Sequence, residues 1–279
     1  MPSEPSYACD AEFLKLFTRR PDVDLTLVAL ELARDAQPEL DFRPTLEWID
    51  ERGRELSGAV ARARTEADTL RLLGECLAER HGIAGDPSCF DRPESSFLNR
   101  VIETGHGLPI TLSVLYMAVA ERVGIDLRGA AAPRHFLTRY ESVGGTLFVD
   151  AFGRGRVLSQ QECVRWLCGI TGLTKTDVRS ALKPASPRTI VIRMLNNLKA
   201  LYAQQDNWPA AWMVQHRLTA LQPCSYQERR DLALISLRAN RPGPAIDLLQ
   251  SCLRTCPEEE KETLKLHLLE ANSQICRWN

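Results

Sequence analysis

The sequence has almost no net charge, no long apolar run and no CxxC pair of cysteines. Its 35 Lys and Arg residues balance 36 Asp and Glu residues, so the formal net charge is −1 over 279 residues. A dedicated nucleic-acid binder neutralises phosphates with clustered basic residues, and this balance argues against that class. The longest apolar stretch, 108–120, is interrupted by Thr111 and Ser113 and is shorter than the roughly 20 residues that span a bilayer. The composition predicts neither a nucleic-acid partner nor a membrane span.

The cysteines and the N-terminus also lack the signals of secreted or metal-binding proteins. The first ten residues, MPSEPSYACD, contain no basic region followed by an apolar region, which predicts a cytoplasmic protein. The nine cysteines are scattered and include no CxxC pair, so reduced, mostly buried thiols are expected. Cys252 and Cys256 share a helical spacing, but no nearby histidine completes a zinc set. We therefore predict no metal and no cofactor.

The first ninety residues have helical periodicity without an obvious chemical motif. Asp22 or Asp24 is a predicted cap of a first helix that ends before Pro38. A second helix is predicted to start near Pro44, and a third to run from Leu70 to His81. Their charged residues are expected to face solvent. We therefore predict that these helices have a structural role.

A loop-rich segment over 82–108 leads into a buried helix. One short helix is predicted inside it, over 95–103. The following stretch, 107–125, has Pro109 at a favourable first helical position and Gly124 as a stop. Its apolar residues occupy more than one face, which predicts burial nearly all round.

The pattern then changes to that of a small sheet. The segments PRHFLTRY and TLFVDAF flank Val143-Gly144-Gly145, which predicts a hairpin. A further turn and strand are expected near Val157, and Ser159 with Glu162 has the spacing of a capping box at the next helix. The segment 183–188 is typical of a linker.

The remaining residues repeat. Ala211 and Ala245 are 34 residues apart, as are Pro223 and Pro257, and this is the tetratricopeptide period. Two repeats with flanking helices predict a short solenoid suited to protein contact.

One constellation is typical of catalysis. His135 on the first strand of the hairpin and Asp150 at the end of the second are expected near the N-terminus of the buried helix. A cysteine at that terminus would complete a papain-like triad, because the helix dipole lowers the thiol pKa and the histidine takes the proton.

The segment SSFLNRVIETGHGLPITLSVLYMAVAERVGI, the motifs PRHF and VDAF, and the run ERRDLALISLRANRPGPAIDLLQSCLRTCP resemble the SirB-type proteins. These bacterial proteins have a transglutaminase-like core followed by tetratricopeptide-type repeats, and the resemblance covers about 24–260. It implies an α+β fold: a mostly helical, papain/transglutaminase-like core with a small antiparallel sheet, followed by an all-α repeat segment. It implies that the core consists of an N-terminal helical part, 1–90, and a transglutaminase-like α+β part, 91–182. A linker at 183–188 and repeats over 189–279 follow.

The resemblance also implies that the nucleophile is missing. In active relatives the catalytic Cys lies at the start of the core helix, which here falls at about Pro109, and the family generally shows the same absence. Thr111 is near, but its hydroxyl needs strong activation. Where the family pattern has Gly before the histidine, this chain has Arg134, which adds a charge beside the cleft, and Ala151 replaces a proline after Asp150.

These observations favour a non-catalytic protein that binds a polypeptide through its cleft and repeats. The alternative is a cryptic hydrolase or amidase in which His135 and Asp150 activate a water, Thr111 or a mobile Cys89. A third possibility is a scaffold whose core only supports the repeats, and the oligomeric state stays open. Besides the His135–Asp150 pair, the candidate cleft and loop residues are Asn99, Glu103, His106, Gly107, Pro109, Thr111, Arg134 and Phe136.

Overall fold

The computed structural model describes residues 7–20 and 22–276. They divide into two compact units, one over residues 10–194 and one that joins residues 195–276 to residues 7–9. The predicted absence of a secretory signal rests mostly on residues 1–6, which lie outside the described residues. Within the part of the chain described, no helix combines the length and apolar character needed to cross a membrane.

The first unit begins with helices, as predicted. They are α1 (Ala11–Lys15), α2 (Leu25–Arg34), α3 (Arg43–Val60) and α4 (Glu66–Gly74). Asp24 caps α2, since its Oδ1 accepts hydrogen bonds from the backbone N–H groups of Thr26 and Leu27 at 2.8 and 3.1 Å. The sequence therefore located this cap correctly, and Pro44 stands in the first turn of α3.

The third predicted helix changes type before it ends. α4 continues into a π-helix, Glu75–Arg80, in which the His81 N–H donates to the Cys76 carbonyl at 3.2 Å. The predicted end of the helix at His81 is confirmed, but the change to a π-helix was not predicted. A π-turn adds one residue to each hydrogen-bonded ring, and the apolar pattern of Leu73, Cys76 and Leu77 does not reveal it.

Two 3₁₀ helices, Pro87–Asp91 and Pro93–Ser96, precede α5 (Leu98–Thr104) and α6 (Pro109–Arg122). The predicted short helix over 95–103 is thus a 3₁₀ turn followed by an α-helix, because Phe97 adopts an extended conformation between them. α6 starts at Pro109 and is buried on almost every side, which confirms the prediction for this helix.

Four antiparallel strands follow in the order β1-β2-β3-β4. They are β1 (Arg128–Ala130), β2 (Leu137–Ser142), β3 (Gly145–Asp150) and β4 (Arg156–Ser159). The hairpin of β2 and β3 and the further strand β4 confirm the prediction, while β1 was not foreseen. The register places Asp150, the last residue of β3, opposite Arg156.

After the sheet come α7 (Gln160–Thr171), α8 (Lys175–Ala181) and α9 (Pro187–Gln204). Ser159 and Glu162 form the predicted capping box of α7. Pro187 and Arg188, which the sequence placed in a linker, belong to α9. The domain limits by residue number remain predictions.

The second unit is all-helical. It contains the end of α9 and then α10 (Trp208–Leu221), α11 (Tyr226–Arg238), α12 (Pro242–Leu253) and α13 (Glu258–Cys276). Ala211 and Ala245, the small residues of the 34-residue period, are fully buried. Trp212 is buried as well, and its Nε1 donates to Ser236 Oγ at 3.1 Å. The helical repeat prediction is confirmed.

Candidate active site

A histidine and an aspartate meet at one end of the sheet. His135 Nε2 lies 2.8 Å from Asp150 Oδ1. Asp150 ends β3 as predicted, but His135 lies in the turn that precedes β2, two residues before the strand begins. We call this pair the dyad.

The carboxylate of Asp150 is fixed by three donors. Besides His135, the Gly153 N–H donates to Oδ1 at 3.0 Å, and an Arg156 guanidinium nitrogen lies 3.3 Å from Oδ2. Burial by itself raises the pKa of Asp150, but these donors and positive charges outweigh it and hold the pKa below its usual value. A Cβ at position 153 would stand 2.4 Å from Oδ2, so only glycine fits that turn.

The imidazole of His135 is packed between aromatic rings. The centroid of Trp166 lies 5.1 Å away and that of Phe152 lies 6.1 Å away, both edge-on. In the tautomer whose Nε2 donates to the Asp150 carboxylate, Nδ1 is the acceptor nitrogen of the ring. Within the described residues, Nδ1 has no hydrogen-bond partner. The ring therefore has the orientation of a general base, with its free nitrogen turned away from the aspartate.

Arg193, on α9, holds the turn that carries the histidine. Its guanidinium donates to the carbonyls of Ala132 and His135, both at 2.8 Å, and lies 5.6 Å from the ring centroid of Phe136. Burial lowers the pKa of this arginine. Sequence reasoning missed Arg193, because it follows His135 by 58 residues in a helix with no motif. Phe136, a predicted cleft residue, is buried beneath it.

Arg134 adopts a left-handed conformation with φ 59° and an exposed side chain. This region favours glycine. The geometry therefore explains why the resemblance places a glycine before the histidine. Arg134 adopts the same turn, and its backbone is strained because a residue with a Cβ rarely adopts this φ.

Backbone contacts lead from the dyad to the start of α6. The Gly85 N–H donates to the Phe152 carbonyl at 3.0 Å, and the neighbouring Ala84 N–H donates to the Gly105 carbonyl at 2.9 Å. Four residues later, Pro109 begins α6. The first turn of α6, with the preceding loop end, offers only buried residues: Gly107, Leu108, Pro109, Ile110 and Thr111.

The remaining candidates have partners elsewhere. Asn99 is buried and its Nδ2 donates to Gln37 Oε1 at 2.8 Å. Glu103 is exposed and pairs with Arg100. His106 is exposed, and its backbone N–H donates to Thr104 Oγ1 at 3.3 Å. None of these contacts reaches the dyad.

The thiols offer no nucleophile beside the dyad. Within the part of the chain described, no sulfur lies in hydrogen-bonding distance of the His135 ring. Cys163 is fully buried, and burial together with the charge of Asp150 raises its pKa to about 12. Cys89 is buried in the 3₁₀ helix Pro87–Asp91. A thiolate is the reactive form, so neither environment activates a cysteine.

Comparison with known families agrees with this geometry. Residues 43–196, more than half of the chain, match the transglutaminase-like superfamily. This chain belongs to that superfamily. Residues 198–266 of the transglutaminase-like chain match the tetratricopeptide repeat. The predicted order of a transglutaminase-like core followed by tetratricopeptide repeats is thereby confirmed.

Relatives of this transglutaminase-like chain span nearly its whole length. A UPF0162 protein of Xylella fastidiosa (strain Temecula1) is 30% identical over 254 residues, covering 90% of each chain. One from Vibrio cholerae is 22% identical over 275 residues, covering 96% of this chain and 97% of that protein. F-box only protein 21 of Pongo abelii is 24% identical over 250 residues, covering 82% of this chain and 39% of that protein. No solved structure matches the chain significantly.

Proposed function

We propose that this transglutaminase-like chain is a non-catalytic protein that binds a polypeptide. The observation that carries the binding role is a groove between α11 and α13 in the repeat unit. A cytoplasmic location and the narrower kinship with the SirB-type proteins belong to the same proposal.

The α11–α13 groove has the size and lining of a peptide site. Two adjoining parts of it have volumes of about 410 and 300 Å³, and Leu234 and His267 line both. Apolar side chains form its floor and charged groups of both signs surround them. The other lining residues are Arg230, Leu237, Arg238, Asn240, Glu259, Glu260, Thr263, Leu264, Glu270 and Gln274. Solenoid repeats bind extended partners along such surfaces.

The missing nucleophile supports the non-catalytic role. The dyad is formed, but a covalent mechanism also needs an activated thiol or hydroxyl. Thr111 is fully buried, and the pKa of Cys163 is raised. Neither of these groups is suited to attack a carbonyl beside the dyad.

The binding role is tested with peptides selected from a random display library on the full-length chain. Their affinity is measured by fluorescence anisotropy for His267→Trp, which fills the groove, and for Leu269→Trp. Leu269 is on the same helix and 66% exposed, but outside the groove lining. We expect His267→Trp to weaken binding by about tenfold or more, about 1.4 kcal/mol, with Leu269→Trp close to wild type. Equal effects of the two variants refute binding in the groove.

A second pair of variants tests the cleft as the binding surface. Phe90 is 49% exposed and its ring packs against Phe152, which in turn contacts His135. Phe17, 40% exposed, is a matched control in the same unit. A peptide that uses the cleft loses affinity with Phe90→Ala and keeps it with Phe17→Ala. If the core only supports the repeats, neither variant changes the affinity.

One observation favours the alternative, a hydrolase or amidase that activates water. The free Nδ1 of His135, opposite the Asp150 hydrogen bond, has the geometry of a general base. Release of amine or ammonia from a peptide mixture tests it. Turnover by the purified wild-type chain that disappears in His135→Ala overturns the non-catalytic proposal.

A further inference from the structure

Three side chains of different chemistry converge outside the dyad and the α11–α13 groove. Glu55 comes from the middle of α3, while Cys76 and His81 come from the π-helix and the residue that ends it. Each offers one ligand atom, and these atoms all lie within 4.8 Å of one another. His81 Nε2 is already 2.7 Å from Glu55 Oε2.

The π-turn creates this convergence. In a regular α-helix, residues five apart point about 140° away from each other around the axis. The π hydrogen bond from the His81 N–H to the Cys76 carbonyl, at 3.2 Å, places residue i+5 above residue i. Cys76 and His81 therefore face the same side and meet Glu55. π-turns are rare and are frequently found at functional sites.

We propose that Glu55, Cys76 and His81 form a zinc-binding site. Thiolate, imidazole and carboxylate are the three donor types that zinc uses, and zinc–donor distances of about 2.0–2.3 Å require only small shifts of these side chains. Cys76 is fully buried, whereas the Glu55 and His81 side chains are 28% and 26% exposed. The ion would reach the thiolate from the solvent side, and water would complete the coordination.

The charges around the cluster select among cations. Arg80 pairs with Glu55 Oε1, and Arg52 lies 3.3 Å from Oε2. His81 Nε2 is the third group that contacts this carboxylate. The two arginines oppose hard cations bound by charge alone. A cation that gains a thiolate bond, such as zinc, is favoured over magnesium or calcium.

The thiol must lose its proton when the ion binds. A bound zinc ion deprotonates a coordinating thiol, and the sulfur–zinc bond replaces the sulfur–hydrogen bond with release of a proton to solvent. The site departs from the sequence-based expectation of no metal, which considered only Cys252 and Cys256.

The test titrates the metal-free full-length chain with Co²⁺, a spectroscopic substitute for zinc. Exposed Cys9, Cys224 and Cys276 are first replaced by serine, so that surface thiols do not contribute. We expect one equivalent of Co²⁺ to produce a thiolate-to-cobalt charge-transfer band in the near ultraviolet. We also expect Zn²⁺ to abolish the band, and Mg²⁺ to have no effect.

Two kinds of variant then assign the ligands. Cys76→Ser should abolish the band, while Cys163→Ser, an equally buried thiol outside the cluster, should retain it. If Cys76→Ser does not fold, His81→Ala and Glu55→Gln provide the test. Both residues are partly exposed, and each variant should weaken Co²⁺ binding by about tenfold or more. Absence of a band in the chain that lacks only the three exposed cysteines, or its persistence when Cys76→Ser is added, overturns the proposal.

Discussion

At the residue scale, the charge of Asp150 organises the turn between β3 and β4. It is buried, yet three donors keep its pKa below the usual value. A carboxyl whose pKa is lower in the folded state stabilises the fold above its unfolded pKa. This contribution disappears as the pH falls through the folded pKa.

The dependence of stability on the ionisation of Asp150 gives a first prediction. At pH 7 we expect Asp150→Asn to lower the free energy of unfolding by about 2 kcal/mol, because a charged acceptor is lost from a buried network. The difference from wild type should begin to shrink at about pH 4, where the carboxyl of the unfolded chain becomes protonated, and should shrink further as the pH falls through the lower pKa of Asp150 in the folded state. Urea denaturation at several pH values measures this. Asp126→Asn, at an exposed ion pair, should show almost no difference at either pH, and a pH-independent loss in Asp150→Asn contradicts the prediction.

Arg134 gives a second prediction. Its left-handed φ of 59° is strained for a residue with a Cβ, and its side chain is exposed. Arg134→Gly should raise the free energy of unfolding by about 0.5–1 kcal/mol, since glycine adopts this conformation without the steric penalty. Thermal unfolding of the two proteins checks it. A decrease in stability would show that the arginine makes a stabilising contribution larger than the strain.

Thiol accessibility gives a third prediction. It distinguishes the hypothesis of a cysteine hydrolase from the hypothesis of a non-catalytic protein. Cys9, Cys224 and Cys276 are exposed, whereas Cys76, Cys89, Cys163 and Cys252 are buried. The exposed thiols should react with a chromogenic disulfide in the native protein, and the buried ones only after unfolding. Fast labelling of Cys89, identified by peptide mass mapping, supports the cysteine hydrolase instead.

At the scale of elements, the end of α4 packs directly on the turn beyond the dyad. A Cβ on Gly74 would lie 2.9 Å from the Gly155 carbonyl oxygen, and one on Gly155 would lie 2.5 Å from the Gly74 Cα. Two backbones approach closely because both residues lack a side chain. Arg154, between Gly153 and Gly155, lies 3.5 Å from the Ala78 carbonyl in the π-helix.

This contact gives a fourth prediction. Gly74→Ala should destabilise the protein by about 1–3 kcal/mol, because rigid backbone rather than a flexible side chain must move. Gly169, in the α7 helix with nothing within 4 Å of its Cβ position, is the control, and Gly169→Ala should be neutral or stabilising. Chemical denaturation measures both. Equal stabilities of the two variants would mean that the strand turn shifts freely away from α4.

Local signals predicted most element ends. Asp24 and Ser159 cap their helices through their own side chains, and Pro109 starts α6, so the sequence contains the determinant within one turn. The π-helix and β1 were missed for a different reason. A strand of three residues is too short to show an alternating pattern, and the apolar pattern of Leu73, Cys76 and Leu77 does not reveal the π-turn.

At the scale of the whole molecule, the 34-residue period and the resemblance predicted the order of core and repeats. The dyad was predicted because both residues flank recognisable strands. The roles of Arg193 and Glu55 were not, since each reaches its partners only through tertiary packing, and Cys76 and His81 face the same side only because of the π-turn. Distant pairs of this kind leave no spacing in a single sequence.

The balanced composition gives a fifth prediction. With 35 basic and 36 acidic residues, the chain releases few counterions on contact with a phosphate backbone. We expect a short labelled DNA duplex to bind the full chain with a dissociation constant above about 100 μM at near-physiological salt. Fluorescence anisotropy measures it, and tight binding that weakens with salt contradicts the prediction.

The contact between His135 and Trp166 also makes the dyad visible by optical means. The indole lies 5.1 Å from the imidazole and 4.6 Å from the guanidinium of Arg156. The surroundings of the Trp166 indole therefore depend on how His135 and Arg156 are placed beside it. A ligand that displaces either ring would change the emission directly, and the cleft can be followed without an attached dye.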